Sequence, residues 1–146
     1  MPELPKEIEQ LTELEWLDLG SNRFKEIPMV LTGNKKLRYL NFFNNDLTEV
    51  SKDLTEFKNL KSLSLESSDL KTVEGVVFSD LEELNLNGTE LTSIPSFITD
   101  IKTLKNLDLR SNKFNEILAE ITNLNYLDVL TFSYSDSKID SLPNDF

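Results

Sequence analysis

Asp46, Asp69 and Glu90 stand 23 and 21 residues apart, and Asp18 and Asp108 bracket them more widely. Acid–base chemistry would fall largely to such carboxylates, because the 146-residue chain has no histidine and no cysteine. The commonest general base and metal ligand is therefore missing, and so is the thiol nucleophile. Two carboxylates that share a glycosidic bond must lie within roughly 5 to 10 Å of each other. Whether any pair here does so depends on the elements that carry them.

Those elements follow a fixed period, the signature of a repeat architecture. In the eleven residues from Leu104 to Phe114, leucine holds places one, four and six, asparagine place nine and phenylalanine place eleven. Leu14, Leu17, Leu19, Asn22 and Phe24 hold the same places, as do Leu37, Leu40, Phe42, Asn45 and Leu47. Leu60, Leu63, Leu65, Ser68 and Leu70 form a looser copy, followed by Leu81, Leu84, Leu86, Thr89 and Leu91. Leu127, Leu130 and Phe132 open the last. Copies start at 14, 37, 60, 81, 104 and 127, in steps of 23, 23, 21, 23 and 23 residues. Leu4, Pro5, Ile8 and Leu11 match Ile94, Pro95, Ile98 and Ile101 place for place, so residues 1–13 read as a partial repeat.

With the tails Ile27-Pro28, Ile94-Pro95 and Leu142-Pro143, this pattern resembles the 23-residue class of leucine-rich repeats. That class occurs in many bacterial surface and secreted proteins and in repeats that bind small GTPases. The resemblance covers nearly the whole chain. It implies a single α/β domain over 1–146, a right-handed solenoid with a parallel sheet on its concave face. Short helices, 3₁₀ turns or irregular segments would form the convex face.

The residues support that architecture independently. Apolar and polar residues alternate through places three to six, the two-residue period of a half-buried strand. Six such strands stacked about 4.8 Å apart would span on the order of 24 Å. Place nine turns the chain out of the sheet, where an asparagine amide can both donate to and accept from the backbone. Asn22, Asn45 and Asn112 should form a ladder, weakened in the middle where Ser68 and Thr89 replace them. Residues 5–11, 51–57, 95–101 and 118–124 have the apolar spacing of short helices or 3₁₀ turns. The shortened copy replaces that segment with Glu74-Gly75-Val76-Val77-Phe78-Ser79-Asp80, which predicts an irregular or strand-like return. Two extra residues follow the last strand.

Composition narrows the partners. Fifteen basic and 26 acidic residues give a net charge of −11, which disfavours nucleic acid or an anionic membrane and favours a neutral or basic protein surface. No run approaches the roughly 18 apolar residues of a membrane span, and no signal core follows Met1. That reading predicts a chain without an address of its own, secreted or surface-exposed if a signal was removed and cytoplasmic otherwise. No cofactor or metal motif is present. A monomer is expected, with end-to-end association through uncapped edges as the alternative.

The outward places of the strands would line the concave face. Most are Ser, Asn, Asp, Gly or Thr, but Trp16, Tyr39 and Phe43 cluster on the first two strands. Exposed aromatics of this kind are typical of protein interfaces; they could instead shield the first strand or stack as a cross-strand pair. Asp18, Asn41, Glu66, Arg110 and Tyr134 are candidates for polar contacts around them. Asp18 and Asp108 would lie four strands apart, on the order of 19 Å, too far to cooperate. Asp46 and Asp69 sit on an open rim with no pocket, nucleophile elbow or phosphate loop. The sequence thus predicts a non-enzymatic module that binds a protein through its concave face. An architectural or recognition arm of a larger protein, or a regulator of a small GTPase, are the alternatives.

Overall fold

A computed structural model describes residues 3–50, 52–70, 72–73, 76–114, 122 and 124–132. Its main sheet holds β1 (Trp16–Asp18), β2 (Tyr39–Asn41), β4 (Ser62–Ser64), β6 (Glu83–Asn85), β7 (Asn106–Asp108) and β8 (Val129–Thr131), in that order. Every pairing is parallel, and Trp16, Tyr39, Ser62, Glu83, Asn106 and Val129 lie in one register. Each strand occupies places three to five of its copy. The two-residue β3 (Glu49–Val50) and β5 (Thr72–Val73) pair separately, also in parallel.

Place four points every strand into one core. Leu40, Leu63, Leu84 and Leu107 are almost fully buried, as are their place-six neighbours Phe42, Leu65, Leu86 and Leu109. Burial of side chains of this size contributes about 1.5–3 kcal/mol each. Leu17 and Leu19 in the first copy and Leu130 and Phe132 in the last are only partly buried. Phe24 meets Phe42 edge-on across one repeat step, with ring centres 5.7 Å apart, and Phe114 meets Phe132 in the same way at 6.4 Å.

The convex side carries 3₁₀ helices at Lys6–Gln10, Met29–Gly33, Lys52–Glu56 and Ser96–Asp100. Three of them occupy the expected segments at 5–11, 51–57 and 95–101; most of the fourth, 118–124, lies outside the described residues. Met29–Gly33 lies outside the segments expected to be helical. Pro28 starts it, and tertiary packing holds it: the Asn34 amide donates to the carbonyls of Ile8 and Leu11 at 2.8 and 3.1 Å. In the shortened copy, residues 76–80 show no helix, in line with the irregular return expected there. The extra residues after β8 lie outside the described residues.

Place nine builds the ladder. Asn45 donates to the Leu19 and Phe42 carbonyls at 2.9 and 3.0 Å and accepts from the Phe24 N–H at 3.0 Å. Asn112 repeats this with Leu86, Leu109 and the Leu91 N–H. Asn22 reaches only carbonyls of its own copy, Leu19 and Gly20. Ser68 is buried with its hydroxyl unpartnered. Thr89 fares better than Ser68, since its hydroxyl lies 2.8 Å from the Leu86 carbonyl and 3.0 Å from Asn112 Oδ1. The reversal itself falls one place earlier than the sequence suggests. Ser21, Asn44, Ser67, Gly88 and Ser111, all at place eight, have positive φ between 53° and 63°.

An unsatisfied buried hydroxyl costs about 1–3 kcal/mol. Ser68→Asn should therefore stabilise the protein by about 1 kcal/mol and raise its melting temperature by about 2–4 °C. A calorimetric scan showing no rise would mean that the site cannot accommodate the larger amide.

Candidate functional site

The concave face divides into an aromatic end and a polar middle. Trp16 on β1 and Tyr39 on β2 stack with ring centres 5.1 Å apart and planes inclined by 27°. Registered strands bring their place-three side chains together, so the pair follows directly from the parallel ladder. The stack remains open to solvent: Trp16 is 64% exposed, and nearby Phe43 is 39% exposed. Both belong with Tyr39, Asn41 and Glu66 to the wall of an open hollow of about 420 Å³. Ser62 and Ser64 on β4 also line it, and their small side chains leave the depression beside the larger aromatics.

Polar groups around the hollow are mostly engaged with one another. Asp18 accepts from the Gly20 N–H at 2.8 Å and from the Asn41 amide at 3.0 Å, while Asn41 Oδ1 accepts from the Phe43 N–H at 2.9 Å. Asn85 and Asp108 accept from the N–H two residues on in the same way, at 3.0 and 3.1 Å. Place five is thus an Asx turn that guides the chain out of each of these strands. This structural duty was not read from the sequence, although an Asx residue two places before the turn was its signal.

Glu66 is fixed from the next strand. Asn85 donates to its Oε2 at 2.8 Å and Asn87 to its Oε1 at 3.1 Å. Arg110 forms a fork with Asp108, with Nε 2.9 Å from Oδ1 and Nη2 2.6 Å from Oδ2. Burial works against the Asp108 charge, but the hydrogen bonds from Arg110 and Thr131 outweigh it and hold the carboxyl below its usual range. The structure therefore places Trp16, Tyr39, Phe43, Asn41 and Glu66 around one hollow. Asp18 adjoins it through Asn41, Arg110 stands apart with Asp108, and Tyr134 lies outside the described residues. Sequence reasoning missed Asn85 and Asn87 as supports for Glu66, and Ser62 and Ser64 as the floor.

Asp18 and Asp108 stand on the first and fifth strands of the six-stranded order, as expected, and cannot share a reaction centre. On the rim, Glu90 forms an ion pair with Lys113. No group of three or more potential metal ligands occurs among the described residues.

Along place two, Glu82 bridges Lys61 at 2.9 Å and Lys105 at 2.7 Å across three consecutive strands. Hydrogen bonds from Lys105 and then Lys61 lower its pKa from 4.5 to about 2. Because the folded value is the lower one, this bridge supports the fold fully above pH 4.5 and loses its contribution as pH falls towards 2. Carbon-13 NMR titration of the side-chain carboxyls should show Glu82 titrating last, near pH 2. A midpoint at the ordinary value would show that the bridge does not persist in solution.

No helix among the described residues is long and apolar enough to cross a membrane. The family model described as Leucine Rich Repeat matches residues 103–124. No curated protein sequence matches the chain significantly. Among solved structures, a leucine-rich repeat protein of Leptospira interrogans is 25% identical with a TM-score of 0.70, over 98% of this chain and 42% of that one. The leucine-rich repeat ectodomain of an Arabidopsis thaliana membrane receptor kinase, in complex with Casparian strip integrity factor 2, is 26% identical. Its TM-score is 0.59, over 89% of this chain and 19% of that one. Toll from the Drosophila Toll–Spatzle complex, at 21% identity and a TM-score of 0.70 over 91% of this chain and 22% of that one, shares the fold alone. The chain thus spans less than half the length of each. Period, strand register, family model and structural neighbours converge on one conclusion: the chain folds as a leucine-rich repeat solenoid.

Proposed function

We propose that this solenoid binds another protein through the concave face of β1, β2 and β4 and performs no catalysis of its own. One observation carries the reading: the exposed Trp16–Tyr39 stack and Phe43 border an open hollow, on a face whose other polar groups largely satisfy one another. Large, rigid aromatic surface contributes binding area at little conformational cost. A receptor ectodomain of the same fold in complex with a factor, and a plant peptide hormone receptor in complex, support a recognition role, and leucine-rich repeats typically act as interaction scaffolds. The stack also fits a sealing role for the first strand. Trp16, however, remains largely exposed, and a seal would leave less of it open.

Hydroxyl-radical footprinting tests the surface with an internal control. A captured partner should protect Trp16 and Tyr39 from oxidation, while Tyr126, 62% exposed beyond the hollow, continues to react at its free rate. Protection of Tyr126 with Trp16 unaffected would put the interface elsewhere.

A further inference from the structure

The hollow has one charged wall and no cation of its own. Glu66 is the charged residue among those that line it, and neither Glu66 nor Asp18 forms an ion pair with a basic side chain among the described residues. Asp108, by contrast, is neutralised by Arg110. The hydrogen bonds to Glu66 come from neutral amides, which orient the carboxylate; Arg110, committed to Asp108, acts on Glu66 through its charge and forms no ion pair with it. A carboxylate offers about four lone-pair sites over its two oxygens. Asn85 and Asn87 take one on each oxygen, so one on each remains.

Three chemistries could use an aromatic wall beside a carboxylate. An apolar side chain would leave Glu66 desolvated and unpaired. A neutral sugar needs free amide and carboxylate partners, but the Asn41 amide is already engaged at both ends. A planar cation uses what remains: the ring faces attract it, and a carboxylate with an open site on each oxygen can accept two N–H groups of a guanidinium. An ammonium could meet the charge but not the fork or the stack. The net charge of −11 adds long-range attraction.

Resting on the docking reading above, we infer that the hollow receives an arginine of the partner protein, its guanidinium stacked on the Trp16–Tyr39–Phe43 wall and paired with Glu66. Glu66 is then a specificity residue, and Asn85 and Asn87 are positioning residues that hold its carboxylate towards the hollow.

The chain has a single tryptophan, Trp16 itself, so its fluorescence reports occupancy directly. The probes are the capped peptide acetyl-Gly-Gly-Arg-Gly-Gly-amide and its citrulline counterpart, which keeps the shape without the charge. The arginine peptide should saturate the signal at about tenfold lower concentration than the citrulline peptide, and added salt should narrow the gap. Glu66→Gln should abolish the difference, whereas Glu56→Gln, exposed on the convex side, should leave it unchanged. Equal responses to the two peptides, or a difference that survives Glu66→Gln, overturns the inference. A stronger response to neutral maltohexaose than to the arginine peptide does the same. The two readings fail separately: a partner that protects Trp16 yet binds wild-type and Glu66→Gln proteins equally removes the arginine and leaves the surface in place, whereas one that protects Tyr126 and not Trp16 removes the surface itself.

Discussion

Asn112→Ala is expected to destabilise the protein by roughly 3 kcal/mol, while Asn22→Ala costs about 1 kcal/mol or less. The two residues occupy the same place in their copies and differ in what surrounds them. Asn112 is 4% exposed; its amide donates to the carbonyls of Leu86 and Leu109, and its oxygen accepts from the Leu91 N–H. Truncation leaves these backbone groups buried without their partner, and water cannot enter to replace it. The consequence spans two repeats, because Leu86 and Leu91 belong to the preceding copy. Asn22 is exposed and bonds only within its own copy, so water can take over. Urea unfolding of the two variants measures the contrast directly. Similar losses at both sites would show that the ladder's cross-repeat bonds contribute little.

Tyr39→Ala is expected to weaken partner binding by about 2 kcal/mol, roughly thirtyfold, while Asn106→Ala changes it little. Tyr39 stands at the centre of the aromatic wall, stacked on Trp16, and both side chains line the hollow. Asn106 lies on β7 and borders a more polar part of the face. Folding should suffer only modestly, since an aromatic pair contributes about 0.5–1.5 kcal/mol and the leucine core beneath is untouched. Affinity measured per folded molecule, beside a melting curve, separates the two effects. A steep fall in melting temperature with unchanged affinity would make the patch a seal for β1.

The fold was largely legible in the sequence because one physical constraint repeats. Leucine at place four with leucine or phenylalanine at place six forces a two-residue period, and six copies of it locate the six strands, which end one place earlier than that period does. Met29–Gly33 was not legible, because its helix depends on Asn34 reaching carbonyls in the preceding half repeat. Aromatic clustering was visible as soon as the outward places were aligned, since registered parallel strands turn equal places into neighbours. The anchoring of Glu66 was not. It joins place seven of one copy to places five and seven of the next, and the two-residue shortening between them hides that relation from a fixed period. Place-eight geometry was hidden for a different reason: serine at Ser21, Ser67 and Ser111 does not announce a left-handed backbone as glycine does.

The shortened copy leaves no mark on the sheet. Leu63 and Leu84 are register partners although 21 residues separate them, just as Leu40 and Leu63 are at 23. The missing pair falls between Val73 and Phe78, on the side away from the strands, where the neighbouring copies carry a 3₁₀ helix. This deletion is therefore absorbed on the back, out of sight of the concave face. Exposed Val77 in that stretch offers a splice point at which an affinity tag or a second domain could be grafted while the strands keep their alignment.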